Sequence, residues 1–201
     1  QEALRHEFHF IVGSRFRVEE GMELIALACN LNGYGNISET ITLARRRSPK
    51  GEYRLSLTDL SNPSVERSHL QGLPDCLLIF KPQYDISSGQ LDKQLQQLTC
   101  VFPRHRLWIG VALHYGAADA RHLATLQAAG QRHGIPLVAL GGVEMHRRSR
   151  QPVHDALAAI RLGRPVTDIL EQLHPNAERH LRSRLRLANM YPSELPRETL
   201  K

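Results

Sequence analysis

The chain has 201 residues, of which 41% are hydrophobic and 23% charged, and this balance is typical of a folded globular protein with room for one domain and a small extension. Its formal net charge of +6 is too small to identify a polyanion as the partner, and an aromatic content of 5% argues against a stacking platform for single-stranded nucleic acid. No apolar run approaches a membrane span, and three cysteines without a C-x-x-C pair predict reduced, buried thiols in a cytoplasmic protein.

Short apolar runs, bounded by Gly, Pro or Asn, are the first recognisable elements. Their content of Ile, Val, Leu and Phe is typical of strands. We predict strands at Phe8–Val12, Glu23–Cys29, Cys76–Phe80, Leu107–Leu113 and Pro136–Leu140. Helical patterns separate them, and this alternation predicts an α/β fold with a mostly parallel sheet.

Apolar residues with a period near 3.6 mark the helices between these strands. Asn36 is a good N-cap for the first, because an apolar face begins directly after it. Leucines at the same spacing predict a second helix over residues 91–98. The third is expected to begin near Asp119 and to end at Gly134.

Helical patterns dominate the last third of the chain. We place a domain boundary there, with an α/β domain at residues 1–146 and a helical extension at 147–201. One helix of this extension ends at Gly163. Its apolar stripe, which we expect to be buried, consists of Val153, Ala156, Leu157 and Ile160.

A basic segment follows in the extension, and Asn176 is expected to cap its helix. The buried face of this helix is predicted to carry Leu181, Leu185 and Ala188. The outer face is predicted to carry three basic residues, Arg179, Arg182 and Arg186. Such a stripe can neutralise the phosphates of a nucleic acid. A solvated face paired with nearby acids explains it equally well.

The chain has eleven histidines, and histidine is a common ligand of metal ions, so these residues are the first candidates for a metal site. Glu144 and His146 lie in the segment Gly141–His146, which directly follows the predicted strand Pro136–Leu140. In α/β folds the carboxyl ends of parallel strands are where the chemistry is placed. On an extended backbone both side chains point to one side, as two ligands of one metal ion would. The same spacing also fits a loop with two solvated polar residues. His114 follows the predicted strand Leu107–Leu113 and is a third candidate ligand. Alternatively, it only forms a hydrogen bond with the backbone of the loop.

Several motifs carry a family resemblance. They are Asn-Gly-Tyr-Gly-Asn-Ile-Ser-Glu at 32–39, Gly-Leu-Pro-Asp-Cys at 72–76, Gly-Ile-Pro-Leu-Val-Ala at 134–139 and Pro-Asn-Ala-Glu-Arg-His-Leu-Arg-Ser at 175–183. In this order they resemble the polymerase-and-histidinol-phosphatase (PHP) domain of bacterial C-family DNA polymerases, above all the error-prone branch related to the DNA polymerase III α subunit.

That resemblance implies a PHP-type distorted β/α barrel, incomplete at its N-terminus, followed by the helical extension. It implies a parent protein that is a DNA-directed DNA polymerase, a nucleotidyltransferase active in translesion synthesis and damage-induced mutagenesis. DNA and other subunits of a mutagenesis or replication complex are the implied partners, with no role for a membrane. The parent would use Mg²⁺, and an intact PHP site would hold Mn²⁺ or Zn²⁺. The polymerase carboxylates would lie outside this chain.

The chain departs from the family pattern where an intact site has its ligands. Arg15 replaces the glutamate of a Gly-Ser-Glu-Phe motif, and Gly142 replaces the aspartate of Gly-Asp-Val-His. The first His-x-His and Thr-Asp motifs of relatives would precede Gln1. A cation in place of a ligand repels metal ions, so we expect a degenerate, non-catalytic scaffold.

Two alternatives remain open. The chain is a metal-dependent phosphoesterase or 3′–5′ exonuclease domain that uses Glu144, His146 and His114, or it is a non-catalytic module that binds DNA or protein.

Overall fold

The computed structural model describes residues 5–7 and 10–200. These residues contain five strands in one sheet with the spatial order β1-β2-β3-β4-β5. The strands are β1 (Gly13–Arg17), β2 (Glu23–Ala28), β3 (Cys76–Lys81), β4 (Leu107–Val111) and β5 (Leu137–Ala139). The predicted α/β class is therefore confirmed.

The helices of the described residues lie between and after these strands. They are α1 (Leu31–Arg46), α2 (Thr58–Ser61), α3 (Ser88–Val101), α4 (Asp119–His133), α5 (Gln151–Leu162), α6 (Arg184–Met190) and α7 (Glu194–Thr199). As predicted, α4 is followed by Gly134 and α5 by Gly163, both in the left-handed conformation (φ +63° each). Within the part of the chain that is described, no helix has the length and apolarity to cross a membrane.

The sheet is mixed, so the prediction of a mostly parallel sheet is wrong. β1 pairs antiparallel with β2, and β2 pairs antiparallel with β3, whereas β3 and β4 are parallel. The turn from β1 to β2 is closed by a hydrogen bond from Val18 N to Met22 O (3.0 Å). Such a short connection cannot form the crossover that parallel strands require.

The first strand lies later in the chain than the sequence pattern predicts. Of the predicted strand Phe8–Val12, residues 8 and 9 lie outside the described residues, and residues 10–12 are not in a strand. β1 starts at Gly13, which pairs with Leu27. Phe10 and Ile11 are exposed, so apolar alternation alone did not mark a buried strand here.

The start of α1 also differs from the prediction. Asn30 caps this helix through a hydrogen bond from Gly33 N to Asn30 Oδ1 (2.9 Å), and Asn36 lies within the helix. Asn36 is buried and donates from Nδ2 to Pro74 O (3.0 Å), so its amide joins two segments. Gly33 and Gly35, which precede the predicted cap, therefore lie in the first turns of the helix.

The described residues form two compact units, one of residues 5–7, 10–110 and 124–137 and the other of residues 111–123 and 138–200. The first unit has an extensive apolar core beneath its part of the sheet. Fully buried members of this core are Leu24, Leu78, Phe80, Leu91, Leu95, Leu98 and Phe102.

The second unit exposes apolar residues that the sequence analysis predicts to be buried. Val153, Leu157 and Ile160 of α5 are 49%, 61% and 75% exposed, whereas Ala159 on another face is buried. The helical period was predicted correctly, but the stripe lies on the outside. Periodicity identifies the apolar face of a helix without identifying what covers it.

The predicted long helix after Asn176 is absent from the structure of residues 176–183. α6 begins only at Arg184, with Ser183 as its cap accepting from Arg186 N (3.3 Å). Leu181 and Leu185 are 63% and 74% exposed, which contradicts their predicted burial.

The three cysteines do not share one environment. Cys76 is fully buried in β3, whereas Cys29 and Cys100 are exposed. The prediction of buried thiols therefore holds for Cys76 alone.

Candidate functional site

The second unit contains a backbone pairing that positions the first functional side chain. The amides of Glu144 and Met145 both donate to Arg179 O (2.9 Å each), and Leu181 N donates to Met145 O (3.0 Å). Residues 144–145 and 179–181 therefore lie side by side, with Met145 and His180 forming a parallel β-bridge. This pairing fixes the backbone from which the Glu144 carboxylate projects.

Two histidines converge on that carboxylate. His154 Nε2 lies 2.9 Å and His174 Nε2 lies 2.8 Å from the same oxygen, Glu144 Oε2. The two imidazole rings are stacked, with centroids 5.0 Å apart and an interplanar angle of 26°. We call Glu144, His154 and His174 the Glu–His–His group.

Each histidine is held by a different part of the unit. His154 lies in the first turns of α5. His174 lies just before Pro175, and its carbonyl accepts a hydrogen bond from Gln151 Nε2 (3.1 Å). Gln151 begins α5, so the start of this helix positions both rings.

The electrostatic surroundings favour the ionised form of Glu144. Burial alone would raise the pKa of its carboxyl group. Hydrogen bonds from His174 and His154, together with the charges of His174 and Arg179, outweigh that effect and lower the pKa below its ordinary value. Arg179 Nη1 lies 3.7 Å from Glu144 Oε1, the oxygen that the histidines do not use.

The donor atoms of the Glu–His–His group all lie within 4.8 Å of one another. Two imidazole nitrogens and a carboxylate oxygen form a donor set that divalent transition metals accept. Within residues 5–7 and 10–200, this is the one group of three or more such side chains with metal-binding spacing.

The predicted metal ligands are only partly brought together. Glu144 belongs to the Glu–His–His group, but His146 is exposed and is not a member. His114 lies beside Gly142: a Cβ atom added at this glycine would be 3.3 Å from the His114 ring and 3.4 Å from Arg179 Nη1. The roles of His146 and His114 as ligands stay predictions.

Gly142 has a backbone conformation that side chains rarely adopt. Its φ of +53° lies in the left-handed region, where a side chain is strained. An aspartate here would also meet the His114 ring.

Arg15, the other departure from the family pattern, lies on β1 in the first unit. Its guanidinium is 3.7 Å from Glu23 Oε1, and Lys81 Nζ is 2.8 Å from the same carboxylate oxygen. Its positive charge is therefore part of a surface ion-pair network.

The three candidate arginines for nucleic-acid binding make intramolecular contacts. Arg182 donates to the carbonyls of Leu113 (3.1 Å) and Gly141 (2.9 Å). Arg186 Nη2 donates to both carboxylate oxygens of Glu178 (3.0 and 3.2 Å).

Glu178 itself is 7% exposed and also binds Arg148. Buried polar and charged groups need partners, which explains why the arginines turn inward and the neighbouring leucines turn outward. The predicted orientation of this segment is therefore wrong, and its binding of nucleic acid stays a prediction.

Sequence reasoning missed His154 and His174. They lie ten and thirty residues after Glu144, a spacing that matches no local metal-binding motif. The high histidine content was the only signal, and it does not say which rings meet.

Fold and site together define an α/β protein with a mixed five-stranded sheet and a Glu–His–His group. No family model matches the chain. Individual relatives do match, and they are named error-prone DNA polymerase. That of Bordetella parapertussis is 44% identical over 99% of this chain, and those of Dechloromonas aromatica and Ralstonia pickettii are 48% and 46% identical over 98% and 94%.

The chain spans about a fifth of the length of these relatives, 19%, 18% and 18% respectively. It is thus a homologue of one segment of the error-prone DNA polymerases, and the predicted resemblance to this branch of polymerases is confirmed.

Proposed function

We propose that the chain is the PHP-domain portion of an error-prone DNA-directed DNA polymerase and serves that enzyme as a non-catalytic scaffold. The observation that carries this proposal is the identity of 44–48% that runs along 94–99% of the chain. The distorted β/α barrel of the PHP type belongs to the same proposal.

The two substituted ligand positions support a scaffold role over hydrolysis. Arg15 brings a cation to a position where the family pattern has a carboxylate, and it pairs with Glu23. Gly142 has no side chain and has a backbone conformation that strains one. Hydrolysis of a phosphoester through Glu144, His146 and His114 remains the alternative.

The exposed stripe of α5 supports a place within a larger polypeptide. Val153, Leu157 and Ile160 lie at the i, i+4, i+7 positions of one helix face and are exposed together. Contiguous exposed apolar surface is typical of a face that packs against other protein. The part of the relatives beyond this match would supply that contact.

The remaining features of the parent enzyme are those that the resemblance of the motifs implies. We propose that it is cytoplasmic, acts on DNA with Mg²⁺ in translesion synthesis during damage-induced mutagenesis, and works with other subunits of a mutagenesis or replication complex. Repair and replication of damaged DNA are the processes that this activity serves.

Primer extension tests the proposal. A complete polymerase containing this chain should extend a primer in a template-dependent way, and the 201-residue chain alone should neither extend a primer nor digest one from its 3′ end with Mn²⁺. Extension by the chain alone, or none by the complete protein, would refute the polymerase assignment. Exonuclease activity of the chain would refute the scaffold role and favour the hydrolytic alternative.

Substitutions in α5 test the packing role. Leu157→Glu with Ile160→Glu should lower thermal stability and primer extension of the complete polymerase. The same pair should change the melting temperature of the 201-residue chain by no more than about 2 °C, because both side chains are exposed. Arg161→Gln, at an exposed neighbour on the same helix, is the matched control and should change the melting temperature of either protein by no more than about 2 °C.

A further inference from the structure

We propose that the Glu–His–His group binds one divalent transition-metal ion through Glu144 Oε2, His154 Nε2 and His174 Nε2. Two imidazole nitrogens and a carboxylate oxygen are a donor set that suits Zn²⁺. A fourth coordination position would remain for water or a small anion. Two of the three ligands differ from those that the sequence motifs indicate, and the inference does not depend on the polymerase assignment.

The distances are close to those that an ion requires. Zn²⁺ takes imidazole nitrogen and carboxylate oxygen at about 2.0–2.2 Å, so the ligand atoms of a tetrahedral site lie about 3.3 Å apart. The Nε2 atoms of His154 and His174 lie 2.9 and 2.8 Å from Glu144 Oε2. Opening each gap by about half an ångström admits the ion.

The hydrogen bonding of His154 favours a metal over a neutral hydrogen-bonded pair. A neutral His154 that donates from Nε2 to Glu144 has an unprotonated Nδ1. That Nδ1 is buried and lacks a hydrogen-bond partner, and it faces Asp155 Oδ1 at 3.7 Å, another buried atom without a partner. Two acceptors would then face each other.

Metal binding resolves this conflict. With the ion on Nε2, the proton of the neutral ring lies on Nδ1, from which it can be donated to Asp155. Histidine ligands of metals commonly donate their second ring nitrogen to a carboxylate in this way, which fixes the tautomer and the ring orientation.

Separate backbone contacts already hold the three ligands near one another. Glu144 N donates to Arg179 O at 2.9 Å, and the His174 carbonyl accepts from Gln151 at the start of α5, the helix that carries His154. Binding therefore needs only small side-chain movements, which lowers its entropic cost.

Arg179 opposes the ion. Its Nη1 lies 3.7 Å from Glu144 Oε1, so its charge weakens the attraction of the carboxylate for a cation. Removing this charge should therefore strengthen binding. The Arg179→Gln variant should bind metal more tightly than the unchanged chain.

Titration of the 201-residue chain with Zn²⁺ by calorimetry tests the site, with Co²⁺ absorption as a second readout of ligand geometry. We expect one ion per chain. His154→Gln and His174→Gln should each weaken binding by about 100-fold or more, and Asp155→Asn by about 10- to 100-fold. His146→Gln is the matched control, because His146 lies two residues from Glu144 and outside the group, and it should bind as tightly as the unchanged chain.

Circular dichroism without metal establishes that each variant is folded before its affinity is compared. Absence of Zn²⁺ and Co²⁺ binding by the unchanged chain would refute the site and leave a protonated ion pair between the histidines and Glu144. Loss of binding in His146→Gln, with retention in folded His154→Gln, would also overturn the assignment.

Discussion

Two glycines on α1 allow the same substitution to be tested in opposite environments. A Cβ atom at Gly33 would lie 2.0 Å from Asp75 O and 2.9 Å from Asp75 C, both backbone atoms. At Gly35, two residues further along the helix, an added Cβ meets no atom within 4 Å. Gly33→Ala should therefore destabilise the first unit, whereas Gly35→Ala should stabilise it.

The cost at Gly33 follows from how firmly its neighbour is held. Asp75 O accepts from Cys29 N (2.9 Å), and Asp75 Oδ2 accepts from Asn32 Nδ2 (2.6 Å). Separating the Cβ from Asp75 O to 3.0 Å requires a backbone shift of about 1 Å. Overpacking of this kind costs about 1–3 kcal/mol, and disturbing the Asn30 cap costs about 1 kcal/mol more.

We therefore expect Gly33→Ala to lower the free energy of unfolding by about 3 kcal/mol, and the melting temperature by about 6–12 °C. Gly35→Ala should raise the free energy by about 0.5–1 kcal/mol, since alanine favours a helix interior. Urea denaturation followed by circular dichroism measures both. Equal stability of the two variants would refute the reasoning, because it would mean that α1 does not approach Asp75 as described.

Two further predictions concern groups in the first unit. Burial would raise the pKa of Asp59, but the hydrogen bond with Arg47 helps to lower this pKa below the ordinary 3.8. The ion pair therefore stabilises the fold above about pH 3.8, and this stabilisation is lost as the pH falls through the lowered pKa. Asp59→Asn should thus cost about 1 kcal/mol near neutral pH, and urea titrations should show this difference shrinking below about pH 4; a constant difference would contradict the assignment. Burial raises the pKa of the Cys76 thiol to about 11, so iodoacetamide at about pH 8 should alkylate Cys29 and Cys100 while Cys76 reacts only after unfolding. Mass spectrometry that finds Cys76 labelled as fast as the other two in the folded chain would show that β3 is not buried.

The regular elements were the most predictable part of this protein. Leucine spacing predicted the helix now described as α3, and Gly163 ended α5 as expected. These signals are local, because a left-handed glycine or a helical stripe depends only on nearby residues. Strand direction was not local: β2 is antiparallel to both of its neighbours, β1 and β3, although the alternation of strands and helices predicted parallel pairing.

The direction in which side chains face was predicted least well. Arg186 was expected to face solvent and Leu185 to face the core, but Arg186 binds the nearly buried Glu178 while Leu185 is 74% exposed. A buried carboxylate needs cationic partners, and this requirement outweighed the burial of one leucine. The pattern of the segment contains no information about where Glu178 lies.

By itself the sequence determined the α/β class, most helix and strand positions and the resemblance to error-prone DNA polymerases that the relatives confirm. Only the tertiary structure decided which side chains meet. It brought His154 and His174, rather than His146, to Glu144. The physical reason is that ligands ten and thirty residues away come together through the backbone pairing at Arg179 and the start of α5, and no local spacing encodes such contacts.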